Sequence, residues 1–116
     1  MSITRLHPGK RLSEAVIHGN TVYLAGQVAA DKHGTIEMQT GEVLAAIDKL
    51  LAEAGSSKSK LLYCQVVLNN IADFAAMNTV YDAWIDPDNK PARAAIEARL
   101  ADPALKVEII AVAARD

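Results

Sequence analysis

The run Leu61-Leu62-Tyr63-Cys64-Gln65-Val66-Val67-Leu68 carries no charge and almost no polarity. It has strand length, and a near-continuous apolar run of that length suits a strand covered on both faces. Such a strand belongs inside a sheet, and its neighbours in sequence have to cover it. On one side, over about 38–54, Val43, Leu44, Ile47, Leu50, Leu51 and Ala54 recur at helical spacing, and Gly55 is the expected stop. On the other side, over about 71–84, Phe74, Met77, Asn78, Tyr81 and Trp84 share one helical face. Asn70 is a suitable N-cap for that second helix, with Asp73 at its third position, and Pro87 ends it.

The remaining segments read as strands. Residues 3–6 form a short edge strand ended by His7-Pro8-Gly9. Residues 14–18 and 21–29 pair through a Gly19-Asn20 hairpin turn, with Gly26 as a bulge or a point of close approach. Two more strands follow, about 92–100 and 105–113. The order is βββαβαββ. Both helices are expected on one face of a mixed sheet, which makes a two-layer α+β domain over 1–116.

Composition narrows the partners. The chain of 116 residues has a formal charge of −2, and its twelve Lys and Arg residues are scattered. That is a poor footprint for nucleic acid or an anionic membrane. No apolar run reaches the roughly 18 residues of a bilayer span, and residues 1–5 lack the apolar core of a secretion signal. With Cys64 as the single cysteine, no internal disulfide can form, and a cytosolic location is expected. His7, His18 and His33 stand far apart and give no metal-ligand spacing. There is no phosphate-binding glycine loop and no nucleophile elbow. Neither metal nor cofactor is expected.

The candidate chemistry centres on Pro91-Ala92-Arg93-Ala94-Ala95-Ile96-Glu97-Ala98. Alternation puts Arg93, Ala95 and Glu97 on one face and Ala94, Ile96 and Ala98 on the other. An inward arginine beside small residues can hold a carboxylate through two parallel hydrogen bonds. An ordinary surface or ion-paired arginine is the plain alternative. Glu108 alternates with Lys106 and Ile110, and can either pair with a lysine or polarise a water. Arg93, Glu97, Lys106 and Glu108 are expected together on the sheet face away from the helices. A face so mixed suggests a subunit interface with a polar pocket. Ala25 and Gly26 offer backbone where a side chain would block approach. Asn78, polar on an apolar helical face, must find partners, either as a tie to strand backbone or as a pocket-lining group.

Several segments, in order, carry a resemblance. They are Gly19 to Ala29 closing on Gly26-Gln27, Gln39-Thr40, Leu50 to Ser56, Asp73 to Asn78, Pro91-Ala92-Arg93, and Lys106-Val107-Glu108-Ile109. Together, from about Arg11 to Ala113, they resemble the RidA/YjgF family of reactive-intermediate (imine and enamine) deaminases. The resemblance implies a chorismate-mutase-like fold, a homotrimer, and three clefts between subunits. It implies that Arg93 binds the carboxylate of a 2-imino acid and that Glu108 polarises the attacking water. Two positions depart from the family pattern. Ala95 stands where the best-known deaminases have Cys or Ser, which excludes a nucleophile there and leaves a backbone contact. Leu12 stands where many members carry a pocket tyrosine, which puts rate and substrate range in question.

The leading expectation is therefore a 2-iminobutanoate/2-iminopropanoate deaminase-like hydrolase that releases 2-oxo acids and ammonia. The alternative is a non-catalytic trimer that binds small carboxylates. A third reading, ribonuclease or translation inhibitor, lacks the basic stripe it would need.

Overall fold

The computed structural model describes residues 2–116. The elements are β1 (Ile3–Pro8), β2 (Ser13–His18), β3 (Thr21–Leu24), β4 (Gln27–Val28), α1 (Ile36–Glu53), β5 (Leu61–Leu68), α2 (Phe74–Trp84), β6 (Ala92–Glu97) and β7 (Val107–Ala114). Short 3-10 turns at Lys58–Lys60 and Ile71–Asp73 lead into β5 and α2. One sheet runs β1-β2-β3-β7-β5-β6, and β4 also pairs with β7. All pairings are antiparallel except β5 with β6. The architecture is the expected α+β arrangement, with both helices packed on one face of a mixed sheet.

The uncharged run became β5, flanked by β7 and β6. Cys64, Val66 and Leu68 point under the helices and are buried. They join Val107, Ile109, Ala111 and Ala113 of β7 and Val43, Leu44, Ile47 and Leu51 of α1 in one core. The other face of β5 is less covered, and Tyr63 there is exposed. Burial of β5 on both faces is thus incomplete within one chain.

Thr35 caps α1: its hydroxyl accepts from the Met38 amide at 3.1 Å. Gln39 is wholly buried and replaces missing backbone partners. Its amide nitrogen donates to the carbonyls of Gly34 and Ala104, and its oxygen accepts from the Lys106 amide. One glutamine thereby joins the turn before α1 to the loop that delivers β7.

The Asn70 cap sits one turn ahead of α2. Asn70 caps the preceding 3-10 turn, with its side chain accepting from the Ala72 amide. Asp73 makes no capping hydrogen bond. Glu97, reaching from the end of β6, accepts from the Ile71 amide instead.

The long third strand expected over 21–29 is broken into β3 and β4 at Ala25-Gly26. The Ala25 amide turns back to the Glu14 carbonyl at 2.9 Å, and the Gln27 side chain donates to the Ala25 carbonyl. Both polar groups of Ala25 are therefore satisfied within the chain.

Candidate functional site

Arg93 lies opposite Cys64 in the β5–β6 ladder, so it shares the helix-covered face of the sheet. β6 is the edge strand, and α2 crosses beside it. The half-buried guanidinium meets three α2 side chains. Its Nη1 donates to Asn78 Oδ1 at 2.8 Å. Its carbon stands 4.6 Å from the centroid of the Tyr81 ring and 5.8 Å from that of Phe74. Every one of these neighbours is neutral. Cys64, behind the guanidinium, is pushed up to about 11 by burial, with Arg93 opposing in part, and so remains a thiol. Burial likewise raises Tyr81, whose hydroxyl stays protonated. Among the described residues Arg93 has no carboxylate within 4.0 Å.

Glu108 lies opposite Val28 on β4 and Val67 on β5. Val67 is three residues from Cys64, so alternation places Glu108 on the sheet face away from the helices. Its carboxylate rests against Gly26. A Cβ built on Gly26 would stand 2.7 Å from Glu108 Oε2, so only glycine leaves that space open. The contact needs no unusual backbone, since Gly26 is not among the glycines of positive φ.

The expected grouping of four charges on one face is therefore corrected. Arg93 and Glu97 belong to the helix side, where Asn78 and the Ile71 amide engage them. Glu108 belongs to the open side. The alternation read within β6 is as expected. Which face it presents depends on pairing with β5, and that register puts Arg93 beside Cys64. Glu97 has a partner inside its own chain, the Ile71 amide at 2.9 Å.

The candidate residues fall into two groups. Arg93, Asn78 and half-buried Ala95 lie at the β6 edge. Glu108, Gly26 and Ala25 lie around β4 and β7. Leu12, 55% exposed, sits in the turn between β1 and β2, at the opposite edge of the sheet from β6. Asn78 is tied to Arg93 and not to strand backbone. In sequence Tyr81 reads as one more apolar position of α2 and not as a site residue. Its spacing of three from Asn78 was the available signal, since both then face the same edge.

The open face is mostly apolar, with Glu108 and Gln65 as its polar side chains on β7 and β5. A row crosses it from Val28 through Glu108 and Val67 to Ile96, and Tyr23 and Tyr63 flank Val112 in another. Tyr23 is 49% exposed and Ile96 43%.

A family model described as Endoribonuclease L-PSP matches residues 2–115. A RutC family protein of Haemophilus influenzae is 49% identical, over 97% of this chain and 98% of its own. The chain belongs to this family. The RutC family protein YoaB of Escherichia coli is 41% identical, over 98% of this chain and 99% of its own. A YjgF family member from Neisseria meningitidis superposes with a TM-score of 0.97 at 41% identity, covering 100% of this chain and 97% of its own. The RutC/YjgF fold is thus shared over essentially the whole length. Among the described residues no helix is long and apolar enough to cross a membrane.

Proposed function

We propose that this RutC/YjgF protein hydrolyses 2-imino and 2-enamino acids to 2-oxo acids and ammonia, at sites built between copies of the chain. The observation that carries the reading is the state of Arg93: a half-buried cation with only neutral partners. A half-buried charge left without a counter-charge is costly, and an anionic ligand relieves that cost. A planar carboxylate is the anion that matches the guanidinium fork.

The two groups of residues supply the rest. Arg93 and Glu108 occupy opposite faces, so one ligand reaches both only if they come from different copies. The mostly apolar open face around Tyr23, Val67, Val112 and Ile96 is the surface for packing those copies, and a cyclic homotrimer gives three equal clefts. In each cleft Arg93 of one copy anchors the carboxylate of the imine. Glu108 of the next accepts a hydrogen bond from water and draws off its proton as the oxygen bonds to the imine carbon. The C=N π pair passes to nitrogen, which is protonated. The resulting carbinolamine forms C=O and expels ammonia. The substrate is already an activated electrophile, so placement and proton transfer suffice, without a metal or cofactor. Ala95 contributes backbone only, Ala25 and Gly26 line the approach, and Leu12 closes the cleft without a hydroxyl. The single buried thiol of Cys64 suits a reducing cytosol, where the protein would remove reactive intermediates.

The test generates an imino acid with an amino-acid oxidase and traps the survivor with semicarbazide. The protein should lower the trapped fraction in proportion to its concentration. An unchanged trapped fraction, with 2-oxo acid still bound, would leave a carboxylate-binding trimer in place of the enzyme.

A further inference from the structure

We infer that Tyr81 is a positioning residue: its ring face holds the Arg93 guanidinium in the orientation that receives the carboxylate. The inference rests on Arg93 being the carboxylate anchor. An arginine has four side-chain torsions, and no strand pairs with the outer side of β6, so its fork needs to be held. Asn78 fixes one corner, at Nη1. A single hydrogen bond leaves the plane free to swing about that corner. The Tyr81 ring, 4.6 Å from the guanidinium carbon, removes this freedom, because the cation is drawn to the negative face of the ring. Phe74, at 5.8 Å and 39% exposed, adds a weaker second wall.

The ring is itself well anchored. Tyr81 is 6% exposed and packs in the core beside Met77. Its ring also meets that of Trp84, with centroids 6.0 Å apart. Trp84 in turn donates to Asp48 of α1 at 2.8 Å. A chain of rigid contacts therefore runs from α1 to the guanidinium. All of the partners are neutral at Arg93 itself, so the cradle fixes the cation without consuming its charge. A carboxylate in that place would orient the fork equally well and would block the ligand.

Holding the fork in one orientation raises the fraction of protein ready to bind, and apparent affinity scales with that fraction. The experiment replaces Tyr81 with phenylalanine bearing zero, one, two or three ring fluorines and titrates pyruvate calorimetrically. Fluorine withdraws charge from the ring face and barely changes ring shape, so packing survives while the attraction fades. Pyruvate affinity should fall stepwise with fluorine number, by roughly two- to thirty-fold in total. Melting temperatures should not follow that order. The Arg93 Nε–H proton signal, shifted upfield by the ring beneath it, should move downfield after Tyr81→Leu and keep its place after Tyr81→Phe. Arg93→Lys is titrated in parallel. A flat fluorine series, with Arg93→Lys weakened, overturns the cradle and spares the anchor. Undiminished pyruvate binding by Arg93→Lys overturns the anchor and the cradle with it.

Discussion

Arg93 and Glu108 stand on opposite faces of one sheet. Arg93 is level with Cys64 and covered by α2, whereas Glu108 is level with Val67 and faces away from both helices. The strand β5 separates them laterally. No rotamer of either side chain crosses a hydrogen-bonded sheet. On the proposed reading, a ligand that touches both groups is held between copies of the chain.

Gly26 is predicted to act on Glu108 alone. Its backbone conformation accepts alanine, but the new methyl would meet the carboxylate at 2.7 Å. The end of a glutamate side chain moves at little cost. Gly26→Ala should hold its melting temperature within a few degrees while turnover falls, as it should in Glu108→Gln, where the charge that polarises water is gone. The double substitution should be little worse than either single one, since both remove the same carboxylate from the same place. Additive losses in imine-hydrolysis assays would mean that Gly26 serves some other group.

Cys64 gives a pH prediction. The unfolded chain releases the thiol proton near the ordinary value of 9.0, the folded chain only at about 11, because burial opposes the thiolate. Between those values the folded state holds the extra proton, so stability falls as pH rises. Below pH 9.0 the contribution is complete. Urea unfolding from pH 8 to 11 should show this decline in the wild type and a shallower one in Cys64→Ala. Equal slopes would place the thiol in contact with water. Iodoacetamide at pH 8 should label the native protein far more slowly than the unfolded chain.

These residues also show how much of the molecule could be read in advance. The charge-free run Leu61–Leu68 declared its strand, and the periodic leucines of α1 declared their helix, because burial patterns are local. Arg93 and Asn78 were both legible as candidates, since a polar group on an apolar face demands a partner. Their bond to each other was not. Alternation says which residues share a face of β6, but only the register with Cys64 says which face is covered. The capping of Ile71 by Glu97 and the bridging by Gln39 were hidden for the same reason. Each joins segments far apart in sequence, and neither leaves a periodic trace.

Arg93→Lys separates a carboxylate clamp from a structural arginine. Lysine keeps the charge and loses the planar fork, along with its stacking on Tyr81. A hydrogen bond to a charged group is worth roughly 1.5–3 kcal/mol, so losing one should lower kcat/KM for imino acids by roughly ten- to a hundred-fold. Imines lacking the carboxylate should lose far less. Equal losses for both substrate classes in a folded protein would reduce Arg93 to a structural role.

Mixing two weakened variants tests the division of labour between copies. Arg93→Lys keeps Glu108, and Glu108→Gln keeps Arg93. Each alone should form trimers in which every cleft is defective. Unfolded together and refolded at equal concentration, they assemble at random. A cleft is whole when its arginine comes from a Glu108→Gln chain and its glutamate from an adjacent Arg93→Lys chain. In a cyclic trimer that occurs at about one cleft in four. The mixture should therefore recover about a quarter of wild-type turnover, far above the sum of the separate variants. Sedimentation of the same samples should report trimers throughout. Simple mixing of folded proteins should restore activity only as fast as subunits exchange. If both residues served one site within a single chain, refolding together would restore nothing, since every chain in the mixture carries one defect. Their placement on opposite faces of the sheet predicts the opposite outcome.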